Sequence, residues 1–189
     1  MKIYVASSWR NPRQQDVVSA LRADGHDVYD FRNPSPGDHG FGWRQCRPAG
    51  MAPREDGEDQ IKDPRIFRDQ ILTHPVARAA FAKDMGALRS AEATVLVLPC
   101  GRSAHLELGW ATGHGQRTIV LLDDPMSEPE LMYLMNTLIC TSLAEVLLAL
   151  PALEVRSSLT RCGRYEFGDR NHPAKRCKLT DGHDGDCET

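Results

Sequence analysis

The chain has 189 residues, of which 41% are hydrophobic and 26% charged, a composition that fits one main soluble domain with a real core and at most a small appendage. Its net charge of -3 offers no broad attraction for nucleic acid or for acidic membrane surfaces. No apolar run approaches the ~20 residues of a membrane span, and the N-terminal apolar run is too short for a secretory leader, so a cytoplasmic location is expected.

Lys2 to Ala6 reads as a first strand. Pro12 suits the first turn of a helix whose inner face is Val17, Val18 and Leu21, and Gly25 closes it. His26 to Phe31 is a second strand. From Asn33 to Asp63 the apolar period dissolves into a charged stretch rich in proline and glycine, a length usually functional or disordered. Regularity returns with a helix over about Pro75 to Ala91, carrying Val76, Ala80, Met85 and Leu88. A strand from Thr94 to Leu98 leads into a helix from Ala104, with Leu106, Trp110 and Gly113 on one face. Thr118 to Leu122 is a fourth strand, Ser127 to Met135 a capped helix, Leu138 to Cys140 a short strand and Ser142 to Leu150 a last helix. This alternation predicts a doubly wound, flavodoxin/Rossmann-like α/β domain over residues 1–150 with a five-stranded parallel sheet. Pro151 and the polar segment after it read as a linker (151–160) to a tail at 161–189.

In such a fold, ligands gather beyond the carboxyl ends of the strands. The turn after the first strand brings Ser7, Ser8, Trp9, Arg10 and Asn11 to a helix N-terminus, an arrangement suited to an anion. Plain helix capping is the bland alternative, since Ser and Asn are common caps. The turn after the third strand supplies Gly101 for a tight backbone, Arg102 for a fork of donors and Ser103 as a helix cap. Glu107 follows in the first turn of that helix, where its bland role would be a favourable charge against the helix dipole. Gly109 would let another backbone come close. Asp84 lies at the edge of an apolar helix face formed by Phe81, Met85 and Leu88; a solvated helix acid is its ordinary alternative. Tyr4, in the middle of the first strand, needs a partner for its hydroxyl if buried, and a carboxylate atop a neighbouring strand would serve.

These residues carry a resemblance. IYVASSWRN, the acid Asp84 and SAHLELGWATG resemble the nucleoside 2-deoxyribosyltransferase-like superfamily, which includes the nucleoside 5′-monophosphate N-glycosidases. The resemblance spans roughly the first 150 residues, apart from the long segment between Asn33 and Asp63. It implies that Glu107 is the nucleophile, that Tyr4 orients it, and that Asp84 faces the base or takes part in proton transfer. It also implies that Ser7 to Asn11 receive a 5′-phosphate. The transferases carry an acid six residues before the nucleophile, where this chain has Gly101 followed by Arg102, which favours a phosphorylated substrate and hydrolysis over base exchange. The expected function is therefore hydrolysis of the N-glycosidic bond of a nucleoside 5′-monophosphate, without a catalytic cofactor. The rival readings are a deoxyribosyltransferase, an NAD-cleaving domain of the Toll/interleukin-1 receptor type, and a nucleotide sensor without turnover. The family further implies a homodimer or larger assembly whose partner completes the site, with Tyr133 or Asn136 as reaching residues. Phe41 and Trp43 in the long segment are placed either to stack on a base or to anchor that segment to the core.

The tail contains Cys162, Cys177, His183 and Cys187, with His172 as an alternative ligand. Soft Cys and His donors around a glycine-bent loop suit tetrahedral zinc. So short a segment with few apolar groups scarcely folds without a metal, so a structural zinc is expected, against the alternative of a disordered tail with chance cysteines. Asp181, Asp184, Asp186 and Glu188 oppose contact with nucleic acid.

Overall fold

The computed structural model describes residues 1–46, 63–123 and 130–157, with the backbone alone for 152–157. Five strands form one parallel sheet: β1 (Lys2–Ala6), β2 (Asp27–Tyr29), β3 (Ala93–Val97), β4 (Arg117–Leu121) and β5 (Leu138–Cys140), in the order β2-β1-β3-β4-β5. The expected doubly wound topology is therefore present, and the strand order reverses between β1 and β3, where such sheets open a crevice.

The period of two along each strand builds two cores. Ile3 and Val5 of β1, Val95 of β3 and Ile119 of β4 face one side, against Val18 of α1 (Gln14–Ala23) and Val146 of α5 (Leu143–Ser157). Tyr4, Leu96 and Val120 face the other side, against Leu88 of α3 (Pro75–Ser90) and Leu108 of α4 (Arg102–Gly113). Each fully buried aliphatic side chain contributes about 1.5–3 kcal/mol. Tyr4 is the large residue that brings a polar atom into the second core.

Several elements depart from the sequence expectation. α4 starts at Arg102 rather than Ala104, with Gly101 as its N-cap, so Ser103 lies within the first turn and makes no capping bond. Its buried face is Ala104, Leu108 and Ala111, whereas Leu106 is 75% exposed. Two apolar stripes compete in this helix, and the one carrying alanines lets the helix approach the sheet closely. The bulkier Leu106 therefore turns outward, and the Trp110 ring stacks on His114 at 3.7 Å. Among the described residues no atom lies near the would-be Cβ of Gly109, so no described backbone exploits its smallness. In α3 only Leu88 is fully buried, while Phe81 is 67% exposed. The helix expected over Ser127 to Met135 is a 3-10 turn, Leu131–Met135, capped by Glu130, whose carboxylate accepts from the Met132 N–H at 2.9 Å. Residues 124–129 lie outside the described residues. α5 does not stop at Leu150 but continues through Pro151 to Ser157. Proline forfeits one helical hydrogen bond, yet Val146 and Leu150, both buried, hold the preceding turns against the sheet.

The long segment is partly ordered in its described portion. A 3-10 turn spans Trp43–Cys46, and the Trp43 ring packs on Phe41 at 4.9 Å and on Phe67 at 5.6 Å. Phe67 follows the short helix α2 (Pro64–Ile66), so Phe41 and Trp43 anchor the segment. The tail residues Cys162, His172, Cys177, His183 and Cys187 lie outside the described residues. Among the described residues, no group of three His, Cys, Asp or Glu side chains could hold a metal, and no helix is long and apolar enough to cross a membrane.

Candidate active site

The parallel register of the first two strands sets Tyr4 opposite Tyr29. Both side chains project to the α3/α4 side, and their rings stack with centroids 5.4 Å apart and planes inclined by 17°. The local patterns match, Lys2-Ile3-Tyr4 against Asp27-Val28-Tyr29, so the pairing is written in the alternation of charge, aliphatic and tyrosine. Tyr29 is a site residue that sequence reasoning missed, and this repeated pattern was the signal available to find it.

Helical spacing delivers the carboxylates. Asp84 lies one turn before the buried Leu88 on α3, hence on its inward side. Glu107 lies three residues after Ala104 and four before Ala111, which places it on the inward face of α4. It occupies the second turn, not the first, so the helix-dipole role is weak: that effect fades beyond the first turn. The Tyr29 hydroxyl donates to Asp84 Oδ1 at 2.7 Å. Tyr4, itself 1% exposed, lies close enough to Glu107 for each group to shift the other. The two stacked tyrosines thus face the two acids, Tyr29 bonded to Asp84 and Tyr4 beside Glu107.

The electrostatics follow from burial. Desolvation, reinforced by the nearby Asp84 charge, pushes Glu107 from 4.5 up to about 7, against the opposing pull of the neighbouring Tyr4 hydroxyl. Asp84 is also raised, first by burial and then by Asp38, while Tyr29 and Lys83 oppose the rise. Tyr4 and Tyr29 are both raised, chiefly by burial, and stay protonated as donors. Burial and Glu107 push the Cys100 thiol up to about 12, so it is no thiolate nucleophile near neutrality. His105 lies beside it, 3.5 Å from Cys100 Sγ and 3.0 Å from the Tyr133 hydroxyl.

The first turn behaves differently from expectation. Ser7 donates to the Val97 carbonyl at 2.9 Å, and the buried Asn11 side-chain amide donates to Ser7 Oγ at 3.1 Å and to the Val97 carbonyl at 3.2 Å. The same Asn11 accepts from the Arg13 N–H at 2.9 Å. Ser7 and Asn11 therefore join the ends of β1 and β3, and their side chains are engaged in that task. Trp9 packs edge-on against Phe31 at 5.2 Å, and a Cβ on Gly40 would fall 2.9 Å from the Trp9 ring. Gly40 also has φ +72°, a conformation that favours glycine. Trp9 is thus a packing anchor for the following loop. The guanidinium of Arg32, a second missed residue, donates to the carbonyls of Ser8, Trp9 and Asn11 at 2.9, 2.6 and 2.8 Å. Ser8, Arg10, Gly101, Arg102 and Ser103 remain at the surface of the two turns, with Ser8 half-buried and the others exposed. Tyr133 and Asn136 bind within their own chain, Tyr133 to His105 and Asn136 to the Tyr133 carbonyl at 3.1 Å. An open depression at the start of β2, lined by Arg22, His26 and residues 33–39, includes neither Asp84 nor Glu107. The two half-buried acids, Asp84 with its Tyr29 partner and Glu107 beside Tyr4, form the candidate site.

No protein-family model and no curated protein matches the chain. Among solved structures, it is similar to a 2-deoxyribosyltransferase from Bacillus psychrosaccharolyticus, at 17% identity and a TM-score of 0.48, covering 78% of this chain and 90% of that one. It is also similar to the CMP N-glycosidase BcmB of Clostridium botulinum, at 17% identity and a TM-score of 0.42, covering 80% of this chain and 99% of that one.

Proposed function

We propose that the protein hydrolyses the N-glycosidic bond of a nucleoside 5′-monophosphate, with Glu107 as nucleophile. The observation that carries this reading is a Glu107 carboxylate withdrawn from water on the inner face of α4, beside Tyr4 and near enough to Asp84 to feel its charge. Breaking the bond from sugar to base builds positive charge at the anomeric carbon, which a desolvated carboxylate stabilises and then bonds. The departing base needs a proton, and an acid of raised pKa such as Asp84 is suited to give it. Ser8 and Arg10 of the first turn, with Arg102 of the third, supply hydroxyl and cationic donors for a 5′-phosphate at the neighbouring strand ends, and anchoring there orients the sugar. A homodimer or larger assembly completes the site. The tail carries a structural zinc on Cys162, Cys177, His183 and Cys187.

The test is base release from a full panel of ribo- and deoxyribonucleoside 5′-monophosphates by the wild type and by Glu107→Gln. Release by the wild type and a loss of at least about 10³-fold in the variant are expected, the scale seen when a covalent nucleophile is removed. Equal release by both proteins sinks the proposal. A new nucleoside formed when a free acceptor base is added would convert the reading to a transferase, nicotinamide release from NAD would shift the substrate class, and tight nucleotide binding without turnover would make it a sensor. For the tail, metal analysis of the purified chain should find one zinc per chain, absent after truncation at residue 157; a zinc-free full-length chain rejects that assignment.

A further inference from the structure

We propose that Tyr29 is a positioning residue for the leaving group: it fixes the Asp84 carboxyl so that its proton is aimed at the departing base. The proposal rests on the glycosidase reading above and specifies how its acid works. Tyr29 Oη donates to Asp84 Oδ1 at 2.7 Å, which engages one carboxyl oxygen and leaves the other to carry the transferable proton. The donor itself is held on two sides. Its backbone is paired with β1, and its ring lies on Tyr4 at 5.4 Å. Tyr4 in turn lies beside Glu107, so the stack stands between the nucleophile and the acid.

A Glu107 oxygen forms a bond to the anomeric carbon as the carbon–nitrogen bond breaks, and that electron pair moves to the base nitrogen. Protonated Asp84 gives its proton to the base and becomes a carboxylate. A water then attacks the anomeric carbon, displaces Glu107, and returns a proton to Asp84. Nucleotide plus water becomes sugar phosphate plus free base, and both acids regain their starting states.

This role predicts a dependence on the leaving group that simple structural support would not produce. Tyr29→Phe retains the stacked ring and removes only the hydroxyl. It should slow release of the natural base by roughly 10- to 100-fold, a part of the 10²- to 10⁴-fold that a positioned acid supplies. A 4-nitrophenyl glycoside of the same sugar phosphate leaves without protonation, and its cleavage should change less than about threefold. The groups facing Asp84 are Tyr29 of β2, Tyr4 of β1, Asp38 of the loop, Lys83 of its own helix and Glu107 of α4. Loss of the Tyr29 donor removes a stabiliser of the ionised form, so the alkaline limb of kcat should move to higher pH. Equal losses on both substrates, or no loss on either, overturns the proposal while leaving the nucleophile intact. If Tyr29→Phe does not fold, fluorotyrosine at position 29 gives the converse readout: a stronger donor shifts the alkaline limb to lower pH, and an unmoved limb overturns the idea. Base release that survives Glu107→Gln refutes the underlying reading, a result separable from either outcome at Tyr29.

Discussion

Glu107 concentrates the conflict between stability and chemistry in one side chain. Burial is the main force raising it to about 7, so its charge is unfavourable in the folded protein, whereas the nucleophilic role proposed for it requires that charge. The acid limb of kcat/KM should therefore lie near pH 7, with activity falling about tenfold per unit below it. A pH–rate profile checks this, and a limb near 4.5 would mean that the carboxylate is solvated. The same shift fixes the sign of a stability effect. The folded-state pKa lies above the unfolded value of 4.5, so this group's favourable contribution is complete below pH 4.5 and is lost as pH rises through 7. Replacing it by neutral Gln should raise the melting temperature at pH 8 and leave it nearly unchanged at pH 4. The expected gain at pH 8 is on the order of 1–3 kcal/mol. A variant less stable than wild type at pH 8 would show that contacts of the carboxylate outweigh its desolvation.

At the scale of elements, the crevice between β1 and β3 depends on a turn held by side chains. Asn11 is 1% exposed and links Ser7, the Val97 carbonyl and the Arg13 N–H. Asn11→Ala leaves buried groups unpaired and should cost about 1–3 kcal/mol in urea unfolding, with a raised KM because the turn proposed to hold the substrate loosens. A variant of unchanged stability would place the burden on Arg32 alone. This turn also shows what was legible in the chain. Strand apolarity and alternation with helices carry long-range information that survives in a local pattern, so β1, β3 and β4 were readable to within about a residue. The inward placement of Glu107 and Tyr4 was readable too, because a polar group amid apolar neighbours stands out. Helix phase was not. In α4 the stripes through Leu106 and through Ala104 are both apolar, and only proximity to the sheet decides between them. Ser7, Asn11 and Trp9 fit an anion site by residue type, but their partners, Val97 and Phe31, lie far along the chain or depend on loop geometry. Arg32 escaped notice for the same reason: it bonds backbone carbonyls, which have no sequence signature.

At the scale of the whole molecule, the described elements leave an apolar surface uncovered. Leu106 is 75% exposed on α4, and Leu131 and Leu134 of the neighbouring 3-10 turn are 75% and 76% exposed. The hydrogen bond from His105 to Tyr133 ties these two elements together at the rim of the acid site. Large apolar side chains clustered beside a site commonly mark an interface. A second copy of the chain is the occupant proposed, and Gly109, with open space where its Cβ would be, would then admit the partner's backbone as the outward face of α4 is covered. Leu106→Glu would place a charge in that contact without disturbing the inward stripe of Ala104, Leu108 and Ala111. Sedimentation at micromolar concentration should therefore show the wild type as a dimer or larger and the variant as a monomer with an unchanged circular dichroism spectrum. If the partner also closes the site, base release by the variant should fall with dilution more steeply than that of the wild type. A wild type that sediments as a monomer throughout would make the exposed leucines a surface for some other partner, and the acid site a single-chain device.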